Sequence, residues 1–75
     1  MRIDDVLLTI RPLAGGWMMD CNAGVEPLVF GTGAKAEAHA HLLARKLAYG
    51  GADARVQVHD RRERLVGTTR YFADE

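Results

Sequence analysis

From Ala34 to Tyr49 the chain runs without a glycine or a proline, and it is rich in alanine and leucine. Glycines bracket the stretch: Gly31 and Gly33 before it, Gly50 and Gly51 after it. That composition favours a helix, and the glycines supply its ends. Ala36, Ala40, Leu43 and Leu47 fall at i, i+4, i+7 and i+11, and Ala44 widens the stripe. A continuous apolar stripe is the mark of a helix lying on a core. Glu37, His41 and Arg45 then fall on the solvent side. Thr32 stands where an N-cap hydroxyl would accept a bond from a free backbone N–H. Lys35 occupies the place of the capping-box acid.

The other segments alternate with a period of two. Residues 5–11 place Val6, Leu8 and Ile10 on one face and Leu7, Thr9 and Arg11 on the other. Pro12, which has no N–H, is expected to end that strand. Gly15 and Gly16 supply the connection. Residues 17–22 set Trp17, Met19 and Cys21 against Met18, Asp20 and Asn22, and a turn follows at residues 22–24. Residues 27–30 form a short extended run. Residues 54–59 and 65–72 read as a hairpin joined by the charged turn 60–64. The tail 73–75 is expected to fray. The pattern predicts an α+β domain spanning 1–75. It is an antiparallel sheet of four to five short strands with one helix on one face, in the order β-β-(β)-α-β-β.

At 75 residues a chain hides only roughly 60% of its unfolded surface. Ordering each residue costs about 1.5 kcal/mol, so a core this small leaves little surplus. Such chains often carry a staple. Cys21 is the only cysteine, which excludes an internal disulfide and a Cys-rich zinc site. A partner chain is the remaining staple, and a homodimer is expected. One helix covers one sheet face, so Trp17, Met18 and Leu7 are the candidate interface residues. The unpaired cysteine fits a reducing compartment. Asp4 and Asp5 interrupt any leader begun by Met1 and Arg2, and no run approaches a membrane span. A cytoplasmic location, without membrane partners, is expected.

Ten basic and ten acidic residues balance, which argues against a dedicated nucleic-acid binder. The distribution is uneven, however. Between residues 55 and 70, Arg55, Arg61, Arg62, Arg64 and Arg70 face only Asp60 and Glu63. Arg61, Arg62 and Arg64 on a hairpin tip are candidate phosphate contacts. His39 and His41, two apart on a helix, point away from each other and cannot share a metal. His59 and Asp60 are adjacent in a strand, a poor geometry for a base and its orienter. Gly31-Thr32-Gly33 has too few glycines for a phosphate loop. No catalytic, cofactor or metal residues are expected. The chain reads as a non-enzymatic interaction domain that self-associates. The alternatives are a weak nucleic-acid-binding module using the arginine hairpin and, behind it, a small hydrolase using a histidine.

Several short motifs coincide. Gly16-Trp17 opens a strand, and Phe30-Gly31-Thr32 precedes a helix that contains Lys35-Ala36-Glu37-Ala38 and Ala44-Arg45-Lys46-Leu47-Ala48. Gly51-Ala52 leads to Val56, Val58, His59 and Asp60, and Leu65 and Arg70-Tyr71 finish the pattern. Over about residues 15–72 the chain resembles the small bacterial domain-of-unknown-function family 2188. Members of that family look like a Gly-Trp strand, a Thr-Lys-x-Glu-Ala helix start and a Val-x-Val-His hairpin. Here Gly33 and Ala34 separate Thr32 from Lys35, and Arg62-Glu63-Arg64 replaces the turn glycine. The resemblance implies no activity, substrate or cofactor.

Overall fold

A computed structural model describes residues 6–24 and 26–73. Five strands and one helix follow in the order β1 (Val6–Leu13), β2 (Gly16–Cys21), β3 (Leu28–Phe30), α1 (Gly33–Tyr49), β4 (Ala54–His59) and β5 (Leu65–Tyr71). The expected start of the first strand at Asp5, the charge pattern of residues 1–5 and the last two tail residues lie outside the described residues.

The strands form one sheet in the order β3-β2-β1-β4-β5. The α+β class and the single helix are as expected, but the sheet is mixed rather than antiparallel. β1 pairs parallel to β4, from Val6 opposite Ala54 to Ile10 opposite Val58. The other pairs are antiparallel. The physical reason is the helix. β3 runs antiparallel to β2, and therefore in the same sense as β1. α1 then carries the chain back along the sheet, so β4 starts from the same end as β1. Local alternation cannot report this, because it is the same in both kinds of ladder.

Pro12 does not end β1, which continues to Leu13. The last β1–β4 pair is Ile10 with Val58. Pro12 lies beyond it, where β4 no longer runs beside the strand and the missing N–H is not called on. Leu13 pairs with Gly16 across a two-residue turn, with Gly15 at φ +79°. Gly16 is fixed by space instead. A Cβ there would stand 2.9 Å from the Phe30 carbonyl oxygen of the neighbouring strand. At the other end of the hairpin, Asn22 prolongs the ladder. Its Oδ1 accepts from the Leu7 N–H at 2.8 Å, and its own N–H donates to the Leu7 carbonyl at 3.0 Å.

The helix ends follow the sequence. Thr32 is extended, at φ −133° and ψ 153°, and its Oγ1 accepts from the Lys35 N–H at 3.1 Å. At the other end Gly51 takes φ +98°. The N–H of Ala52 then closes on the Leu47 carbonyl at 2.9 Å.

The buried stripe of α1 is narrower in side chains than expected. Ala36, Ala40, Ala44 and Ala48 are its buried residues, while Leu43 and Leu47 are half-buried flanks. Ala36, Ala40 and Ala44 sit over Leu8, Ile10, Met19, Ala54 and Val56. Cys21 and Trp17 pack at the margin of the same core. Helix-to-sheet distance is set by the side chains in contact, and these alanine methyl groups bring the helix close. His41 is also displaced from the solvent side. It is half-buried, and its Nδ1 lies 2.6 Å from the Tyr71 hydroxyl. His39 takes the opposite flank, with its ring 5.4 Å from that of Phe30.

The close seat of the helix yields a prediction with a sign opposite to intuition. Adding apolar bulk at Ala40 or Ala44 should destabilise, with Ala44→Leu costing about 1–3 kcal/mol through overpacking. Leu43→Ala should fall at about 2 kcal/mol, the low end for a core truncation, because Leu43 keeps solvent contact. Urea unfolding measures both. An Ala44→Leu chain as stable as the parent would show that α1 does not sit on its alanines.

Candidate functional site

The sheet face away from α1 carries Leu7, Thr9 and Arg11 from β1, Met18 and Asp20 from β2, and Arg55 and Gln57 from β4, by strand alternation from the core residues. Its centre is polar: Thr9 is buried between the positions of Asp20 and Gln57. Leu7 and Met18 are half-buried within this mixed surface. Trp17 is not part of it. Trp17 lies on the helix side, where a Cβ on Gly33 would meet its ring at 3.3 Å. The three candidate interface residues therefore do not share a surface. Alternation along β2 sends Trp17 and Met18 to opposite sides, and the helix N-terminus takes the tryptophan.

The arginine hairpin is organised by Asp60. Its Oδ1 accepts from the backbone N–H groups of Arg62 at 2.8 Å and Arg64 at 3.0 Å. Its Oδ2 takes the Arg64 guanidinium, with Nε and Nη2 both at 3.3 Å. The Glu63 N–H donates to the Asp60 carbonyl at 2.8 Å. Glu63 itself stands at φ +59°, a left-handed conformation that favours glycine.

Arg61 folds the other way. Its guanidinium carbon lies 4.6 Å over the centre of the Trp17 ring, and Nη1 donates to the Leu13 carbonyl at 2.9 Å. Arg61 and Arg64 thus each have a partner within the fold while remaining exposed, and those partners lie apart from each other. Arg62 is left as the exposed guanidinium of the hairpin with no side-chain partner among the described residues.

His59 and Asp60 do not act together. The His59 Nδ1 lies 3.3 Å from the Ile10 carbonyl, whereas the Asp60 carboxylate is turned into the hairpin. His59, Arg11 and Glu63 line an open cleft of about 290 Å³. A second cleft, of about 170 Å³, lies between Arg45, Ala48, Tyr49, Tyr71 and Phe72. Both fall below the size at which clefts hold drug-sized ligands. No group of three His, Cys, Asp or Glu side chains among the described residues could hold a metal ion. No described helix is long and apolar enough to cross a membrane.

The strand expected at residues 65–72 is present as β5, and its exposed outer edge is the feature that local alternation does not reveal. From Leu65 to Arg70 every residue is exposed, and β5 is an outer strand of the sheet. Leu65, Val66 and Phe72 on or beside it are 53%, 61% and 65% exposed. Tyr49 joins Phe72 in the smaller cleft. Edge strands are usually blunted by short length, proline or lysine. The opposite edge is blunted: β3 has three residues and follows Pro27. β5 has seven residues and neither proline nor lysine. A β-bulge near Val58 and His59 bends only its hairpin end. The signal in the sequence was the uncharged run Leu65-Val66-Gly67-Thr68-Thr69.

Comparison with family models, with curated proteins and with solved structures returned no match to this chain.

Two predictions concern the hairpin. Relieving the left-handed Glu63 with glycine should stabilise by up to about 1 kcal/mol, whereas Glu63→Val should destabilise. Thermal unfolding of the two variants decides this by sign. The Asp60 carboxyl is held below its ordinary 3.8, first by the Arg64 backbone N–H; desolvation opposes this, and the Arg62 N–H and Arg64 guanidinium add to the lowering. The unfolded chain therefore binds the proton more readily. The hairpin's stabilisation is complete above pH 3.8 and is lost as pH falls through the lower folded value. The amide resonances of Arg62 and Arg64 should titrate together, with a midpoint below 3.8. A midpoint at or above that value would show that the carboxylate does not hold the turn.

Proposed function

We propose that this chain is a non-enzymatic interaction domain that self-associates through the edge of β5. The observation that carries the reading is the long exposed outer strand, bordered by Leu65, Val66, Phe72 and Tyr49. An outer strand presents a row of backbone N–H and C=O groups, and a second strand satisfies them at little conformational cost. A small core gains most from a partner. Two-fold pairing is the commonest closed arrangement. Edge pairing is favoured over stacking of the open sheet faces, because the half-buried Asp20 and Gln57 would have to surrender water at the centre of that face.

Light scattering tests the proposal. The mass should rise from the 8.3 kDa of one chain toward twice that value across the micromolar range. Thr68→Pro should hold the chain at the monomer mass with its circular dichroism unchanged, since proline is tolerated where a strand N–H faces outward. Val66→Lys, which puts a charge in the otherwise uncharged run before Arg70, should do the same. A parent mass fixed at 8.3 kDa up to millimolar concentration would overturn the reading.

A further inference from the structure

The phase of the backbone hydrogen bonds fixes which groups of β5 face outward. The Val6 N–H donates to the Asp53 carbonyl at 2.8 Å, so the backbone of residue 53 faces β1. Backbone direction alternates along a strand, so Arg55 and Gln57 also face β1, while Ala54, Val56 and Val58 face β5. Their partners are Tyr71, Thr69 and Gly67. Those three residues of β5 are spent on β4. Thr68 and Arg70 turn their N–H and C=O groups away from the sheet; Val66 is the extra residue of the bulge, because Arg64 and Gly67, three apart, both face β4.

We infer that β5 pairs antiparallel with β5 of a second copy, with Thr68 on the two-fold axis; this rests on the self-association proposed above. In that register Thr68 faces Thr68, and Val66 faces Arg70, on both sides of the axis. The whole of Leu65–Tyr71 overlaps. Moving the axis to Gly67 would set Arg64 opposite Arg70, a like-charge pair that opposes association. Moving it to Thr69 would carry Val66 past the end of β5, opposite Phe72, and leave Leu65 without a facing strand residue. The Thr68 axis opposes no like charges, and a threonine pair across an antiparallel ladder is a favourable neighbour.

The symmetry has a structural consequence. A two-fold axis through an antiparallel strand pair stands perpendicular to the sheet. The product is one ten-stranded sheet with both helices on the same side and the two open faces merged into one surface.

Cysteine cross-linking reads the register directly. Directly opposed residues of a hydrogen-bonded pair have Cα atoms about 5.5 Å apart, inside the span a disulfide bridges. In a Cys21→Ala background, Thr68→Cys should form a covalent dimer in a glutathione redox buffer. Thr69→Cys should not, because the two copies of residue 69 would lie two positions out of register, beyond the roughly 7 Å limit. Contacts between Val66 of one subunit and Arg70 of the other, in isotope-filtered spectra of a half-labelled dimer, give the same answer without substitutions. A dimer that cross-links through Thr69→Cys, or that lacks the Val66–Arg70 contacts, would overturn the register while leaving self-association intact. A chain that stays monomeric would overturn both.

Discussion

The contact between α1 and the sheet is centred on alanine methyl groups. Ala36, Ala40 and Ala44 share one buried cluster with Leu8, Ile10, Met19 and Val56, and Leu43 and Leu47 pack against it. Alanine carries almost no rotamer entropy to lose, so its burial is inexpensive. It also returns little apolar area, and the leucines that would add more lie half out of the contact. The close seat explains the flanks as well. With the helix low on the sheet, His41 comes within reach of Tyr71 and His39 of Phe30.

The same helix decides which strand is left open. It takes the chain from β3, at one edge of the sheet, over β2 and β1 to β4. β4 is thereby laid parallel to β1, and the hairpin that follows has only the outside of the sheet to occupy. β5 is an edge because of where α1 sets the chain down, and no feature of its own residues makes it one. The protective devices are distributed unevenly: Pro27 and short length guard β3, while β5 has a bulge at its hairpin end alone. An unguarded edge on a small core is the physical basis for reading the chain as self-associating.

The hairpin gives different partners to charges that are contiguous in the sequence. Arg61, Arg62 and Arg64 look like one basic tip in the sequence. Asp60 gathers Arg64, the Trp17 ring and the Leu13 carbonyl gather Arg61, and the two side chains part. Phosphate recognition needs converging cations. Here one arginine braces the turn and another pins the hairpin to the first β-turn of the chain.

The sequence by itself determined the local elements. Period-two alternation marks the strands, the glycine-free alanine run marks the helix, and Thr32 and Gly51 mark its ends, because each depends on neighbours a few residues apart. It also put Leu8, Ile10, Met19 and Val56 in positions to share a core face. Its errors lie where distant segments meet. Pro12 continues its strand because β4 stops short of it, a fact of pairing across the fold. Trp17 turns from Met18 and Leu7 to the helix N-terminus, and His41 leaves solvent for Tyr71. The parallel β1–β4 pair and the open edge at β5 depend on the path of the crossover, which leaves no trace in local periodicity. Tertiary structure alone decided them, because hydrogen-bond direction and strand order are properties of the assembled sheet.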